Sequence, residues 1–390
     1  MVAGAAGLMR VFLIAGELSG DKLGAALMAG LKTLVPDVTF DGVGGPSMQA
    51  EGLVSRFPMN ELSLMGIAEV LPKYFHLKRR IAETAQAVID TAPDVLITID
   101  SPDFCLRVAK LVKQQSDIRT VHYVAPSVWA WRPGRAAKMA RVIDHVLALL
   151  PFEPPYMEAA GMACDFVGHP VVSEPVASAA EVSAFRTAHG LGEAPVLLVL
   201  PGSRRGEVTR LAPVFGEALQ RIMAVRPDLR PVLPAAGPVA ALVRELTAGW
   251  ADRPLILDGA DPAEKRAAFG AAGVAMAASG TVALELAAAA TPMVMAYDFS
   301  WLTWQMAKYM VKLDTANLVN LVSETRVVPE YLGPACQPGP IADHVLNLLA
   351  DPQAQHAAMA LTMQRLGQGG EAPGLRAARA VLRGLGQAGQ

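Results

Sequence analysis

The chain has 390 residues, 52% hydrophobic and 18% charged, with a net charge of −2. That length exceeds one typical hydrophobic core and predicts two domains, while the charge balance excludes a chain devoted to nucleic acid, because no basic excess exists to displace counterions from phosphates. Cys105, Cys164 and Cys336 are scattered, with no CxxC, which excludes a disulfide framework or zinc site and fits a reduced cytosol.

The N-terminus, MVAGAAGLMRVFLIAGELSG, has only a short apolar run before Glu17 and lacks the long h-region of a signal peptide; Met9 is an alternative start. Beyond it, short apolar runs alternate with helix-length segments: RVFLIA, VLITID, TVHYVA and HVLALLP, then VLLVLPG, RPVLPA, PLILDG, GVAMAAS and PMVMAY. Near-continuous apolar strands of this kind predict α/β domains with parallel sheets covered on both faces. The uncharged stretch from Ala267 to Leu284 reads as strand, turn and helix rather than a membrane span. Pro and small residues between about 170 and 195 mark the seam, giving domains 1–180 and 181–390, with room for the last helices to pack back on the first. Each half opens with a strand and a glycine-containing loop, AGELSGD and PGSRRGE, the layout of two Rossmann-like domains facing across a cleft.

In ELSLMGIAEVLPKYFHLKRR, an apolar run that includes Met65, Leu71 and Phe75 is followed by Lys78, Arg79 and Arg80. An apolar face flanked by bases suits an anionic membrane and acyl chains. An ordinary core helix with a solvated end also fits, and Pro72 is expected to break any single long helix. In VLITIDSPDF, a buried strand runs into Asp100, with Pro102 and Asp103 behind it. Asp103 reads as a helix cap or as a group that orients its neighbours. Asp100 falls at the carboxyl edge of a sheet, where open α/β folds bind ligands. SVWAWRPGR supplies Trp129 and Trp131 for sugar rings or acyl chains and Arg132 and Arg135 for a phosphate, although packing alone accounts for the tryptophans. His122 and His169, near strand ends, read as structural before catalytic.

In the second half, LPGSRRGE ends a strand in a loop offering backbone amides, the Ser203 hydroxyl and the Arg204 and Arg205 guanidiniums to an anion. ASGTVALE follows another strand; Ser279, Gly280 and Thr281 open a helix whose amides attract a diphosphate, and Glu285, one turn on, suits ribose hydroxyls. Two anion sites in one domain point to a nucleotide. Yet no GxxxxGK[ST], GxGxxG, GxSxG or Asp-x-Asp motif is present. No metal is therefore expected, and charge neutralisation falls to Arg204 and helix N-termini.

Eight motifs in order, GELSGD, GVGGPSMQAEG, LSLMGIAEVL, IDSPDF, HYVAPSVWAWRPGR, LPFEPPYM, LPGSRRGEV and ASGTVALE, resemble the lipid-A-disaccharide synthases from about Met9 nearly to the C-terminus. The resemblance implies a GT-B glycosyltransferase that joins UDP-2,3-diacylglucosamine to 2,3-diacylglucosamine 1-phosphate with inversion, forming a β-1,6-linked disaccharide and UDP without a cofactor. It implies a general base at Asp100, and a donor site of Ser203, Arg204, Ser279, Gly280, Thr281, Glu285 and Asn320. Its acceptor and lipid site would comprise Glu17, Ser19, Asp21, Met65, Leu71, Phe75, Trp129, Trp131 and Arg132. The expected location is the cytoplasmic face of the inner membrane of a Gram-negative bacterium, attached peripherally; a homodimer is compatible with this reading. Ala125 departs from a frequent Ser, and Gly333 from an expected Gln, which puts the sugar-facing end of the donor site in doubt. Two other readings stay open: another GT-B enzyme on UDP-N-acetylhexosamine, such as a 2-epimerase, which should lack the apolar segment, and a non-catalytic nucleotide-binding membrane adaptor, for which Asp100 should be dispensable.

Overall fold

The computed structural model describes residues 8–62, 67–129, 134–259, 261–299, 304–305 and 314–388. The chain divides into two compact units, one of Met1–Ser173 with Gly369–Gln390 and one of Glu174–Gln368. Each is built on a six-stranded, wholly parallel sheet.

In the first unit the strands are β1 (Arg10–Ala15), β2 (Thr39–Val43), β3 (Val95–Ile99), β4 (Arg119–Tyr123), β5 (His145–Ala148) and β6 (Ala163–Phe166). Their spatial order is β2-β1-β3-β4-β5-β6. The chain thus winds one way from β1 to β2 and the other way from β3 onward, so the switch point lies between β1 and β3, where Ala15 pairs with Ile99. Every residue of β3 is buried, because helices cover both faces of the sheet. The C-terminal helix, Pro373–Ala388, belongs to this unit, with Ala377, Ala378, Ala380 and Val381 in the same core cluster as Leu27 and Leu31 of helix Leu18–Leu34. Arg376 fixes it by donating to the Phe166 carbonyl at 2.8 Å, with its guanidinium 4.9 Å over the Phe166 ring.

The second unit contains β7 (Val196–Leu200), β8 (Arg230–Ala235), β9 (Leu255–Asp258), β10 (Ala272–Ala278), β11 (Met293–Tyr297) and β12 (Glu330–Leu332), in the order β12-β11-β10-β7-β8-β9. Its winding reverses between β7 and β10. Open α/β sheets bind ligands outside the carboxyl ends of the strands at such reversals. Both units therefore carry the motif loops where topology favours a site.

Two expectations require revision. Helix Ile67–Thr91 passes through Pro72, so that the proline removes one N–H donor without dividing the segment. The strands β2, β6 and β12, which the apolar pattern does not reveal, are all at sheet edges.

Candidate active site

In the first unit the loops after β1 and β3 meet. Gly16 lies against Ser101: a Cβ on Gly16 would come within 2.3 Å of the Ser101 hydroxyl, so only glycine allows the approach. Glu17 precedes helix Leu18–Leu34 without capping it through its side chain, and Ser19 is exposed in the first turn. Asp100 follows β3, half-buried, with its N–H donating to the Tyr123 carbonyl at 3.0 Å and φ at +50°. The next residue, Ser101, occupies the N-cap position of helix Pro102–Lys113 at φ +42°, so Asp100 is not the cap. Asp103, in the first turn, is exposed and favourably placed toward the helix dipole.

Asp21 is different from its neighbours. It is 1% exposed, and its oxygens accept the N–H groups of Gly45, Ser47 and Met48 at 2.8, 2.8 and 3.0 Å. This carboxylate ties GELSGD to GVGGPSM, a structural use for a residue expected among the acceptor-binding ones.

Met65, Trp131 and Arg132 lie outside the described residues, as does the side chain of Leu71. Phe75 is 82% exposed, with Tyr74 edge-on at 5.6 Å. Of the bases that follow, Lys78 and Arg79 are exposed. Arg80 is engaged by Glu61 in a bidentate pair, with bonds of 2.8 and 3.0 Å, and lies 4.5 Å over the Phe57 ring. It is therefore committed to the protein. Trp129 is half-buried, edge-on to Phe152 at 5.2 Å, and its indole N–H donates to Glu153 at 3.3 Å. Ala125 is buried in an apolar cluster with Val128 and Met139, which gives a packing reason for its departure from Ser.

Burial lowers both histidines to about 4: His122 lies in the core with Nδ1 2.8 Å from the Thr98 hydroxyl, and half-buried His169 accepts the Val171 N–H at 3.2 Å. All three cysteines are free. Among the described residues, no group of His, Cys, Asp and Glu side chains converges as a metal site, and no helix is long and apolar enough to cross a membrane.

The second unit holds a cavity of about 500 Å³ at the carboxyl ends of β7, β8 and β10. Ser203, Arg204, Ser279, Gly280, Thr281 and Glu285 all line it, together with Glu207, Lys265 and Phe269. The loop amides are not free, as the sequence had suggested. Glu207, in the first turn of helix Arg205–Val225, accepts the Ser203 and Arg204 N–H groups at 3.0 and 3.3 Å. The Arg204 guanidinium, in the same loop, is 68% exposed and leans on Glu207 at 3.3 Å. Tyr297, at the end of β11, has its phenol raised chiefly by burial and further by the charge of Glu207.

Asn320 does not reach this cavity. It is 1% exposed, donates to Thr315 and the Val328 carbonyl, and accepts the Val328 N–H at 3.0 Å. These bonds tie helix Leu318–Ser323 to the turn that follows it, a structural use for a residue expected in the donor site. Gly333 has φ +57°, and a Cβ there would come within 2.8 Å of the Trp304 indole. The departure from Gln thus has a local cause: the backbone is left-handed and pressed against an aromatic ring.

Sequence reasoning missed Lys265, on helix Pro262–Ala271, whose Nζ lies 2.5 Å from Glu285 Oε2 and 5.1 Å from the Phe269 ring centre. It also missed Glu207, although an acid three residues after the cap position signals a capping box.

A family model described as lipid-A-disaccharide synthetase matches residues 11–380. A lipid-A-disaccharide synthase of Ruegeria pomeroyi is 69% identical over 381 residues, covering 96% of this chain and 95% of the relative. One of Rhodospirillum centenum is 47% identical, covering 95% and 94%. Among solved structures, UDP-GlcNAc 2-epimerase from Neisseria meningitidis bound to UDP-GlcNAc matches with TM-score 0.66 at 12% identity, covering 97% of this chain and 100% of that one. Anabaena HepE in complex with UDP and glucose matches with TM-score 0.58 at 14% identity, covering 97% and 99%. At such identities the likeness is one of fold, the GT-B class of paired parallel-sheet units.

Proposed function

Since this chain belongs to the lipid-A-disaccharide synthase family, glycosyltransferases that form the lipid A disaccharide, we propose that it joins UDP-2,3-diacylglucosamine to 2,3-diacylglucosamine 1-phosphate with inversion, releasing UDP. The observation that carries this reading is the second unit's cavity, in which six residues of two separate motifs line one space at the topological switch point. The second unit is read as the UDP-sugar-binding domain and the first as the acceptor and membrane-facing domain.

Chemically, a sugar hydroxyl is too weak an acid to attack unaided. The Asp100 carboxylate takes its proton as the bond to the anomeric carbon forms, a contribution of about 10²–10⁴-fold for such general bases. The acceptor oxygen supplies the electron pair, and the anomeric C–O bond breaks with its pair leaving on UDP. Arg204 and the helix start at Gly280 and Thr281 face the charge that grows on the departing diphosphate. A single displacement inverts the anomeric centre and needs no covalent enzyme intermediate. Glu17 and Ser19 follow β1 as Asp100 follows its neighbour β3, which supports a role toward the acceptor, while Asp21 keeps their loop in place. Phe75 and Tyr74, with Lys78 and Arg79, support peripheral attachment to an anionic membrane surface through aromatic insertion and charge.

The test is incubation of the purified chain with both lipid substrates, following UDP and the disaccharide. Release of UDP that requires both substrates is expected. No disaccharide with both present would refute the reading, and UDP-sugar interconversion without acceptor would favour an epimerase.

A further inference from the structure

We propose that Lys265 is a positioning residue of the nucleotide site, holding the Glu285 carboxylate in the orientation that receives the ribose hydroxyls. This deepens the nucleotide reading above and rests on it. Lys265 reaches the cavity from helix Pro262–Ala271, which follows β9, whereas Glu285 comes from helix Val282–Ala288, which follows β10. Their 2.5 Å contact therefore joins two different walls of the same space. The lysine bonds Oε2, and among the described residues Oε1 has no hydrogen-bond partner.

Three features separate this pair from a solvated surface bridge. First, both partners line the cavity, alongside the two anion-binding loops. Second, Lys265 is held from below: Phe269, one turn further along its helix, is buried beneath the ammonium at 5.1 Å from ring centre to Nζ. A cation over an aromatic face is restricted in where it can swing. Third, the charges of the lining balance only with Lys265 included. Arg204 and Lys265 are positive, Glu207 and Glu285 negative. Without the lysine, two carboxylates and one guanidinium would face an incoming diphosphate, and the Glu285 carboxylate would have no fixed direction. With it, Glu285 presents a carboxylate oxygen to a sugar hydroxyl while its charge is offset locally.

The division of labour makes a specific demand. A lysine that binds the diphosphate itself should act whether or not the ribose carries hydroxyls. A lysine that orients Glu285 should matter only when hydroxyls are there to be received.

The experiment is calorimetric titration of UDP and of 2′,3′-dideoxy-UDP into the wild-type chain and into Lys265→Met, Lys265→Arg, Glu285→Gln and the Lys265→Met/Glu285→Gln double variant. Lys265→Met should weaken UDP about tenfold, the scale of one hydrogen bond to a charged group, and leave dideoxy-UDP within about twofold. Lys265→Arg, which can still bond the carboxylate, should recover most of the loss. The double variant should be no weaker than Glu285→Gln alone, because both substitutions remove one coupled contact. Equal weakening of UDP and dideoxy-UDP would overturn the proposal in favour of a diphosphate contact, and unchanged UDP affinity would return the pair to a surface bridge. Melting temperatures of the same variants separate a folding defect, which would weaken both ligands together. Failure of the wild-type chain to bind UDP at all would instead overturn the nucleotide site on which the inference stands.

Discussion

Glu153 offers a sharp test of how burial sets charge in this fold. It ends the LPFE turn after β5, 4% exposed, with Oε2 accepting the Leu150 N–H at 3.0 Å and Oε1 accepting the Trp129 indole N–H at 3.3 Å. Burial dominates these two bonds and pushes the carboxyl from an ordinary 4.5 up to about 7. Cys164 is close enough for its own thiol to be raised, first by burial and then by the charge of Glu153. In the unfolded chain the group ionises near 4.5, whereas the native state keeps its proton to about 7. The stability it contributes is thus fully present below pH 4.5 and is lost as pH rises through 7. At about 1.4 kcal/mol per pH unit, that interval corresponds to roughly 3 kcal/mol. Glu153→Gln removes the titration. Chemical denaturation of both proteins at pH 5 and pH 8 should show their stability difference changing by about 2–3 kcal/mol, with the Gln variant relatively better at pH 8. Contributions of every other titrating group cancel in that comparison. A difference constant to within about 0.5 kcal/mol across the range would refute the buried neutral carboxyl.

Asp100→Asn, nearly isosteric but unable to take a proton, should lower kcat by about 10²-fold or more with UDP affinity little changed; near-normal turnover would remove Asp100 from the mechanism. Arg204→Ala should weaken UDP and slow turnover, with Lys restoring only part, because a point charge lacks the guanidinium fork; titration of UDP beside steady-state kinetics checks it. Replacing Leu71 and Phe75 with Ser should reduce binding to anionic vesicles in a flotation assay, since a buried large apolar side chain contributes roughly 1.5–3 kcal/mol. Normal vesicle binding with a lower melting temperature would make the segment core. Activity should persist in excess EDTA, because in the proposed site arginine and helix termini neutralise the diphosphate; an absolute Mg²⁺ requirement would contradict this.

What the sequence reveals of the fold depends on where each strand lies. Central strands such as β3 and β7 are apolar at every position because both faces are covered, and they are legible as runs. The overlooked strands carry polar residues, Asp41 in β2, Asp165 in β6 and Glu330 in β12, which an edge tolerates because one side is open. The two loops that line the cavity were legible because Gly, Ser and Arg after a strand have few purely structural uses. The structural use of Asn320 and Asp21 was not legible for one reason: a buried amide or carboxylate that satisfies backbone groups has the same letter as one that meets a ligand. Lys265 was invisible because a mid-helix lysine usually faces water, and only the fold puts it against Glu285. Topology did what spacing could not, bringing loops after β7 and β10, some eighty positions apart, to one cavity.

The backbone around Asp100 bears on why a carboxylate is there at all. Asp100, Ser101 and Val124 have φ of +50°, +42° and +86°, three non-glycine residues in left-handed geometry at the ends of the adjacent strands β3 and β4. Such residues cost on the order of 1–3 kcal/mol each and persist only where surrounding bonds fix them. Those bonds are present: the Asp100 N–H donates to Tyr123, the Val124 N–H to Leu147, and the Ser101 carbonyl accepts the Phe104 and Cys105 amides. Ser101 even precedes Pro102, a position that normally favours extended backbone. The turn therefore restricts position 100 to residues that tolerate positive φ, which are glycine, asparagine and aspartate before others. Asparagine or glycine would satisfy that conformational demand at least as well as aspartate. Nor does the side chain serve as the helix cap, since Ser101 occupies that position. Neither the turn nor the helix start calls for the negative charge, which is the feature the proposed general-base role would require.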